Sequence, residues 1–146
     1  MKSKSKGKGR KAAIWIISIL VILGIGTAVT FISVNSANAE WCDRVLAMSA
    51  DYMEPHRGGL DFNTASESQI KDELPKLEDA YRACEIREGD FVRYEGNLQR
   101  AGWDLALAYL KLHRKSDAER IIKVLASVYR GSAFGDHCVS ILNEAG

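Results

Sequence analysis

The side chains able to do chemistry in this chain are three histidines (His56, His113 and His137), three cysteines (Cys42, Cys84 and Cys138) and a scatter of paired carboxylates. Metal binding and nucleophilic catalysis both demand particular spacings, and neither an H-E-x-x-H nor a C-x-x-C sequence occurs. His137 and Cys138 are adjacent, but successive side chains on a helix diverge, so as neighbours they cannot act together on one substrate atom. A cysteine and a histidine brought together by the fold remain the one nucleophilic arrangement open to the chain. The acidic pairs Asp72-Glu73 and Glu78-Asp79 read as the solvated face of a helix. No G-x-S-x-G occurs, and Gly7 and Gly9 stand in a lysine-rich leader behind no strand, so no phosphate-binding loop is offered. The expectation is a protein that is not an enzyme, with no catalytic residues, no metal ligands and no cofactor.

The elements that must position these groups begin with an apolar run. From Ala12 to Val34 the sequence AAIWIISILVILGIGTAVTFISV holds 23 residues without a charged side chain, directly behind MKSKSKGKGRK, which has six basic residues and no acid. At about 1.5 Å per residue a helix of that length reaches roughly 34 Å, enough to cross a hydrocarbon layer of about 30 Å with modest tilt. Flanking Lys and Arg stay on the cytoplasmic side. This predicts a single-pass membrane protein with residues 1–11 a cytoplasmic leader, 12–34 a transmembrane helix and 35–146 a periplasmic or extracellular domain. A second reading stands beside it: Ala37-Asn38-Ala39 before Glu40 has the small-x-small form of a signal-peptidase site, and cleavage after Ala39 would leave a secreted helical domain. A signal core usually holds about 7 to 15 apolar residues, which favours the retained anchor.

Charge divides the chain at the same place. Residues 35–146 carry 14 Lys and Arg against 19 Asp and Glu, a formal −5, whereas the whole chain is +1. An acidic domain is a poor nucleic-acid ligand, because that binding rests on Lys and Arg clustered at the phosphates. Roughly 110 residues bury one modest core, so one domain is expected. In an oxidising compartment the three cysteines allow one disulfide and one free thiol; their spacings of 42 and 54 name no pairing, and burial as small apolar side chains suits all three at least as well.

Beyond Val34 no stretch alternates like a strand, while apolar residues recur at intervals of three and four, so the domain is expected to be all-α. Trp41, Val45, Met48 and Tyr52, with Leu46 and Met53 alongside, mark a first helix that ends at Pro55 and Gly58-Gly59. Leu60 to Ala65 is loop, and Thr64 with Glu67 offers a capping box for a second helix. Ile70, Leu74, Leu77, Tyr81 and Cys84 share its face; Pro75 either kinks it or opens a new helix, and Gly89 closes it. A third helix has Leu98, Gly102, Leu105, Tyr109 and Leu112 on one face, with Trp103, Ala106, Leu107 and Leu110 over much of the rest, the mark of a helix packed between neighbours. His113-Arg114-Lys115 is a short connection and Ser116 with Glu119 a second capping box, so a fourth helix folds back antiparallel, burying Ile121, Ile122, Leu125, Val128 and Tyr129. Arg130 and Gly131 stop it, and Ser132 caps a last helix on which Phe134, Cys138, Ile141 and Leu142 align.

The run GWDLALAYLKLHRKSDAERIIKVL resembles a tetratricopeptide (TPR) repeat, whose pattern is W-x2-L-G-x2-Y, then A-x3-F, then P, over two antiparallel helices. Leu105, Ala106 and Tyr109 stand where Leu, Gly and Tyr are expected, and Ala118 falls nine residues after the tyrosine, the family's interval. Small residues there let the two helices approach closely. The departures are Gly102 at the tryptophan position with Trp103 one place late, Ile122 for the aromatic, Leu125 for the later alanine, and no following proline. Residues 70 to 88 match the second helix of a degenerate earlier repeat, with Ala80 as the crossing alanine, although Ala80 to Ala118 is 38 residues rather than the family's interval of about 34. Residues 132 to 145 then serve as the capping helix.

The resemblance implies an all-α fold in which a TPR-like helical-hairpin domain follows the membrane helix. It implies a membrane-anchored extracytoplasmic protein–protein interaction module, a scaffold or adaptor of the bacterial cell envelope. Such domains bind a protein or peptide partner along the face made by the first helix of each repeat, which here presents Arg100, Trp103, Leu107, Leu110 and Lys111; a Trp and Arg pair resembles a binding hot spot. In the competing arrangement, Trp41 to Met53 packs into that groove and fills it. The alternative function is structural, a self-associating subunit of an envelope assembly, because Gly24 and Ala28 form a small-xxx-small pair that lets two membrane helices meet as a homo-oligomer.

Overall fold

Burial concentrates between Leu98 and Leu110, and the other elements are arranged around that stretch. The computed structural model describes residues 33–50, 60–88 and 91–144. Among these the chain is mostly helical: α1 (33–48), α2 (Glu67–Arg82), β1 (Glu85–Glu88), β2 (Phe91–Tyr94), α3 (Leu98–Lys111), α4 (Lys115–Val128) and α5 (Ala133–Glu144) follow in order. The chain divides into two units, Met1–Ala37 and Asn38–Gly146, and the residues whose packing is described below belong to the second. The expected leader 1–11 and all of the expected membrane span 12–34 except Ser33 and Val34 lie outside the described residues. Among the described residues, no helix is long and apolar enough to cross a membrane.

α3 packs against α2 on one side and α4 on another, and α4 packs in turn on α5. Its buried residues include Leu98, Gly102, Trp103, Leu105 and the unbroken run Ala106 to Leu110, so a helix apolar on two faces does sit between neighbours. α1 adds Trp41, Cys42 and Val45 to the same core, with Leu46 and Met48 partly buried. It is fastened at the α3–α4 connection: the Lys115 ammonium lies 5.1 Å from the Trp41 ring centroid, and His113 Nε2 lies 3.5 Å from Asp43 Oδ1. Tyr52, Met53 and the expected stop at Pro55 and Gly58-Gly59 lie outside the described residues.

α2 begins two residues later than the Thr64–Glu67 pattern predicts. The Asp61 carboxylate accepts from Asn63 N–H at 2.9 Å and from the Thr64 hydroxyl at 2.9 Å, and these bonds, the backbone one first, hold its carboxyl below the usual range. With Thr64 engaged in that turn, Ser66 becomes the N-cap and closes the box with Gln69. Ile70 and Tyr81 are buried and Leu74 and Leu77 partly so, as the spacing predicts. Pro75 lies inside one continuous helix rather than opening a new one, and it removes a single backbone donor on an exposed face. Ala80 is exposed, so it is not a crossing alanine.

The expectation of no strands is corrected by a small antiparallel hairpin. α2 ends at Arg82, and β1 pairs with β2 in the register Glu85↔Tyr94, Ile86↔Arg93, Arg87↔Val92 and Glu88↔Phe91, where Gly89 was expected to close a helix. Gly89-Asp90 separates the last pair, a dipeptide suited to a two-residue hairpin turn. Two four-residue strands are marginal alone. Here Glu95 N–H donates to the Cys84 carbonyl at 2.9 Å, and the Tyr94 ring packs 6.4 Å from that of Tyr81, docking the hairpin on α2.

α3 reverses into α4 within three residues. His113 adopts φ 53° beyond the Leu112 C-cap; its N–H bonds the Leu110 carbonyl at 3.0 Å and Arg114 N–H bonds the Tyr109 carbonyl at 2.8 Å, the two bonds of a Schellman motif. The reversal is finished so early that α4 starts at Lys115, with Arg114 as N-cap and no side-chain capping bond. The expected Ser116–Glu119 box therefore does not form, and Glu119 instead takes the Lys123 ammonium. Ala118, Ile121, Ile122 and Leu125 are buried, Tyr129 partly so, but Val128 is 45% exposed, against the expectation of its burial. Gly131 at φ 80° ends the turn, and the Ser132 hydroxyl accepts from Gly135 N–H at 3.1 Å as the cap of α5. Phe134, Cys138 and Ile141 then enter the core with Leu142 at its edge, as their alignment predicts.

Candidate functional site

The expected partner-binding residues do not form an open face. Trp103 is 6% exposed, Leu107 2% and Leu110 0%. The Trp103 ring meets Phe134 edge-on at 5.5 Å and His137 at 5.8 Å, so α5 covers it. Arg100 stays at the surface with Nε 4.0 Å from Asp104 Oδ2, and Lys111 is half-buried at the other end of α3. The two basic members thus lie at the ends of the helix, and the apolar three belong to the interior shared with Trp41, Cys42 and Val45. That arrangement corrects the reading of Trp103, Leu107 and Leu110 as a surface ready for a partner.

The reactive groups are buried as well. Cys42, Cys84 and Cys138 are free and buried. Burial, with help from Asp43, pushes the Cys42 thiol up to about 11, and burial pushes Cys138 up to about 12. Among the described residues no group of three or more His, Cys, Asp and Glu is placed to hold a metal ion. His56 lies outside the described residues.

A different constellation is assembled where α2, β1, α3 and α4 meet. A recess of about 360 Å³ is lined by Tyr81 and Arg82 from α2, Arg87 from β1, Tyr109 from α3, and Arg114 and Arg120 around the start of α4, with Glu78, Glu85 and Asp117 between them and Leu105 and Ile121 in its lining. Asp117 Oδ2 accepts from Arg114 Nε–H at 2.8 Å and lies 2.7 Å from Arg114 Nη2, and Oδ1 lies 3.6 Å from Arg120 Nη2. The Arg114 guanidinium lies over the Tyr109 ring, 4.5 Å from its centroid. The Tyr109 hydroxyl donates to Glu78 Oε1 at 2.8 Å, and Arg87 Nη2 lies 3.5 Å from Glu85 Oε2.

Each group is positioned by local structure. The Schellman turn at His113 delivers Arg114 back over Tyr109, one helical turn before Asp117 and two before Arg120. The hairpin brings Arg87 in beside the end of α2. Burial, then the bond to Glu78 and its charge, push the Tyr109 phenol up to about 12; burial and the bond to Tyr94 push Tyr81 higher still. Both phenols are therefore neutral at physiological pH and serve as aromatic walls with a polar tip. Four guanidinium groups meet four carboxylates here once Asp79, 2.9 Å from Arg82, is counted with the lining residues Glu78, Glu85 and Asp117, on a domain that is acidic as a whole.

No single stretch of sequence announces this site. Its arginines are separated by 5, 27 and 6 positions, and each has a carboxylate close by in sequence, which reads as ordinary surface pairing. The available signal was Arg114, Asp117 and Arg120 at three-residue spacing behind a tyrosine. Compared with protein-family models, with curated proteins and with solved structures, the chain matches none.

Proposed function

We propose that the chain is a membrane-tethered, extracytoplasmic protein-interaction module of a bacterial-type cell envelope, and that its partner surface is the arginine–tyrosine recess. The observation that carries this reading is the gathering of Arg82, Arg87, Arg114 and Arg120 around Tyr81 and Tyr109 in one concavity. Arg and Tyr are enriched at interfaces, because each offers a large, partly apolar contact together with directional hydrogen bonds. The recess sits at the lower end of the roughly 300–1,000 Å³ of ligand pockets, room for a few side chains of a partner.

The tether is proposed from the uncharged run 12–34 behind six basic residues. A module confined to the plane of its target needs only modest affinity. For α3 and α4 a degenerate tetratricopeptide-like hairpin is proposed, supported by the complete burial of Ala106 and Ala118 and by Gly102, on which a Cβ would lie 2.9 Å from Leu125 Cδ2. On this reading the inner face of α3 serves the core, and partners are met on the α2–α4 side.

The reading is tested by crosslinking in cells and purifying the full chain from solubilised membranes. A co-purifying protein is expected, with its yield reduced at least several-fold by Arg87→Gln with Arg120→Gln and by removal of residues 1–34. A yield unchanged in a folded Arg87→Gln, Arg120→Gln chain would overturn it.

A further inference from the structure

We infer that the Ala39–Glu40 peptide bond is a processing site that the docked α1 keeps shut, so that residues 40–146 leave the membrane only after α1 comes away from α3 and α4. The inference rests on the tether proposed for residues 12–34. Ala37-Asn38-Ala39 has the small-x-small form that an extracytoplasmic endopeptidase of the signal-peptidase type accepts. Cleavage adds one water across the amide and leaves a carboxylate on Ala39 and an amine on Glu40. No other reactant is needed, and the released piece carries α2 to α5 with the recess.

The same helix that carries the site locks it. Residues 33–48 are one continuous helix, so the scissile bond lies in helical backbone, whereas an endopeptidase takes its substrate as an extended strand. The backbone around the bond must therefore unwind before it can enter an active site. Trp41 and Cys42, the second and third residues after the bond, are 2% and 0% exposed, so unwinding draws a large aromatic ring and a thiol out of the core. Their anchorage is reinforced at the α3–α4 turn, where the Lys115 ammonium lies 5.1 Å from the Trp41 ring centroid and His113 Nε2 lies 3.5 Å from Asp43 Oδ1. The bond itself is not walled off, because Asn38 and Ala39 are half-buried and Glu40 is exposed. Access is thus limited by the opening of α1, and the rate of cutting follows the fraction of molecules in which α1 is open. A retained anchor and a cleaved leader become two states of one chain, selected by whether α1 is docked.

The test is expression of the full chain in cells, separation of membranes from the soluble extracytoplasmic fraction, and determination of the N-terminus in each by mass spectrometry. The unsubstituted chain should stay with the membrane, uncut between Ala39 and Glu40. Trp41→Ala should give a soluble fragment beginning at residue 40, at least roughly tenfold above the level from the unsubstituted chain. Adding Ala39→Leu, which removes the small residue at the cut, should abolish that fragment. If Trp41→Ala is degraded outright, Asp43→Ala with Lys115→Ala, which loosens the same helix from the α3–α4 turn, should raise the fragment at least roughly twofold. An unsubstituted chain that already begins at Glu40, or a fragment that persists with Ala39→Leu, would overturn the inference. A membrane-bound chain left uncut in every variant would reject the processing site alone and leave the tether standing, whereas an uncut chain in the soluble fraction would reject the tether and the inference with it.

Discussion

The Tyr109 hydroxyl donates to Glu78 Oε1 at 2.8 Å and so ties α3 to α2 across 31 positions of sequence, while the same ring supports the Arg114 guanidinium. One phenol therefore links the core to the recess. Tyr109→Phe keeps the ring and loses the bond; because Glu78 is only half-buried and regains water, the expected cost is about 1 kcal/mol, read from urea denaturation. A cycle with Glu78→Gln should return a coupling of similar size, and independent effects of the two substitutions would show that the bond contributes nothing.

Trp103 separates the core reading from the surface reading of α3. Its burial beneath Phe134 predicts that Trp103→Ala costs about 3–5 kcal/mol, a large share of the roughly 5–15 kcal/mol available to a small domain. Thermal melting checks this. Arg100→Ala, at the exposed start of the same helix, should change stability by less than about 0.5 kcal/mol.

Gly135 stands where the first turn of α5 meets the end of α4. A Cβ there would lie 2.0 Å from the Tyr129 carbonyl oxygen and 2.6 Å from its carbon, so backbone rather than a side chain would have to move. Gly135→Ala should therefore destabilise by about 3 kcal/mol or more, against about 1 kcal/mol for Gly131→Ala at φ 80°, where nothing blocks a Cβ. Equal losses at the two positions would contradict the α4–α5 packing.

Alkaline pH should weaken the fold in a defined window. The Cys42 thiol is raised from 9.0 to about 11, Cys138 from 9.0 to about 12 and the Tyr109 phenol from 10.0 to about 12. All three are raised in the folded state, so above pH 9 the unfolded chain releases protons first and binds fewer than the native one, and stability falls with rising pH. The contribution is complete below about pH 9 and lost through pH 11 to 12. Urea midpoints should hold between pH 7 and 8.5 and decline above 9, with a shallower decline above pH 10 in Tyr109→Phe.

Much of the helical fold was legible because its signals are local. Ser132 before Phe134, Cys138 and Ile141 gives both the cap and the buried face of α5, and Leu98 to Leu110 reads as a helix enclosed on two sides. What misled was competition between neighbouring signals. Thr64 and Ser66 each begin a capping pattern, and only the turn at Asp61 decides between them; Ser116 loses its role because the left-handed turn at His113 completes the reversal before it, and a histidine there carries no glycine signal. The strands EIRE and FVRY are four residues each and do not alternate cleanly, so nothing in them outweighs the helical periodicity on either side. Trp103 and Arg100 satisfy the composition of a hot spot, but composition does not say whether another helix covers the tryptophan. The recess draws on three helices and a strand, so it exists only once they pack.

Whether partners meet the recess rather than another face is decided by a site-specific photocrosslinking scan in cells. A photoreactive amino acid is placed at Arg87 and Arg120 in the recess, and at Ser127 and Val139 on exposed positions outside its lining. The expectation is one discrete partner adduct from both recess positions and none from the other two. Adducts from Ser127 or Val139 with none from Arg87 and Arg120 would contradict it.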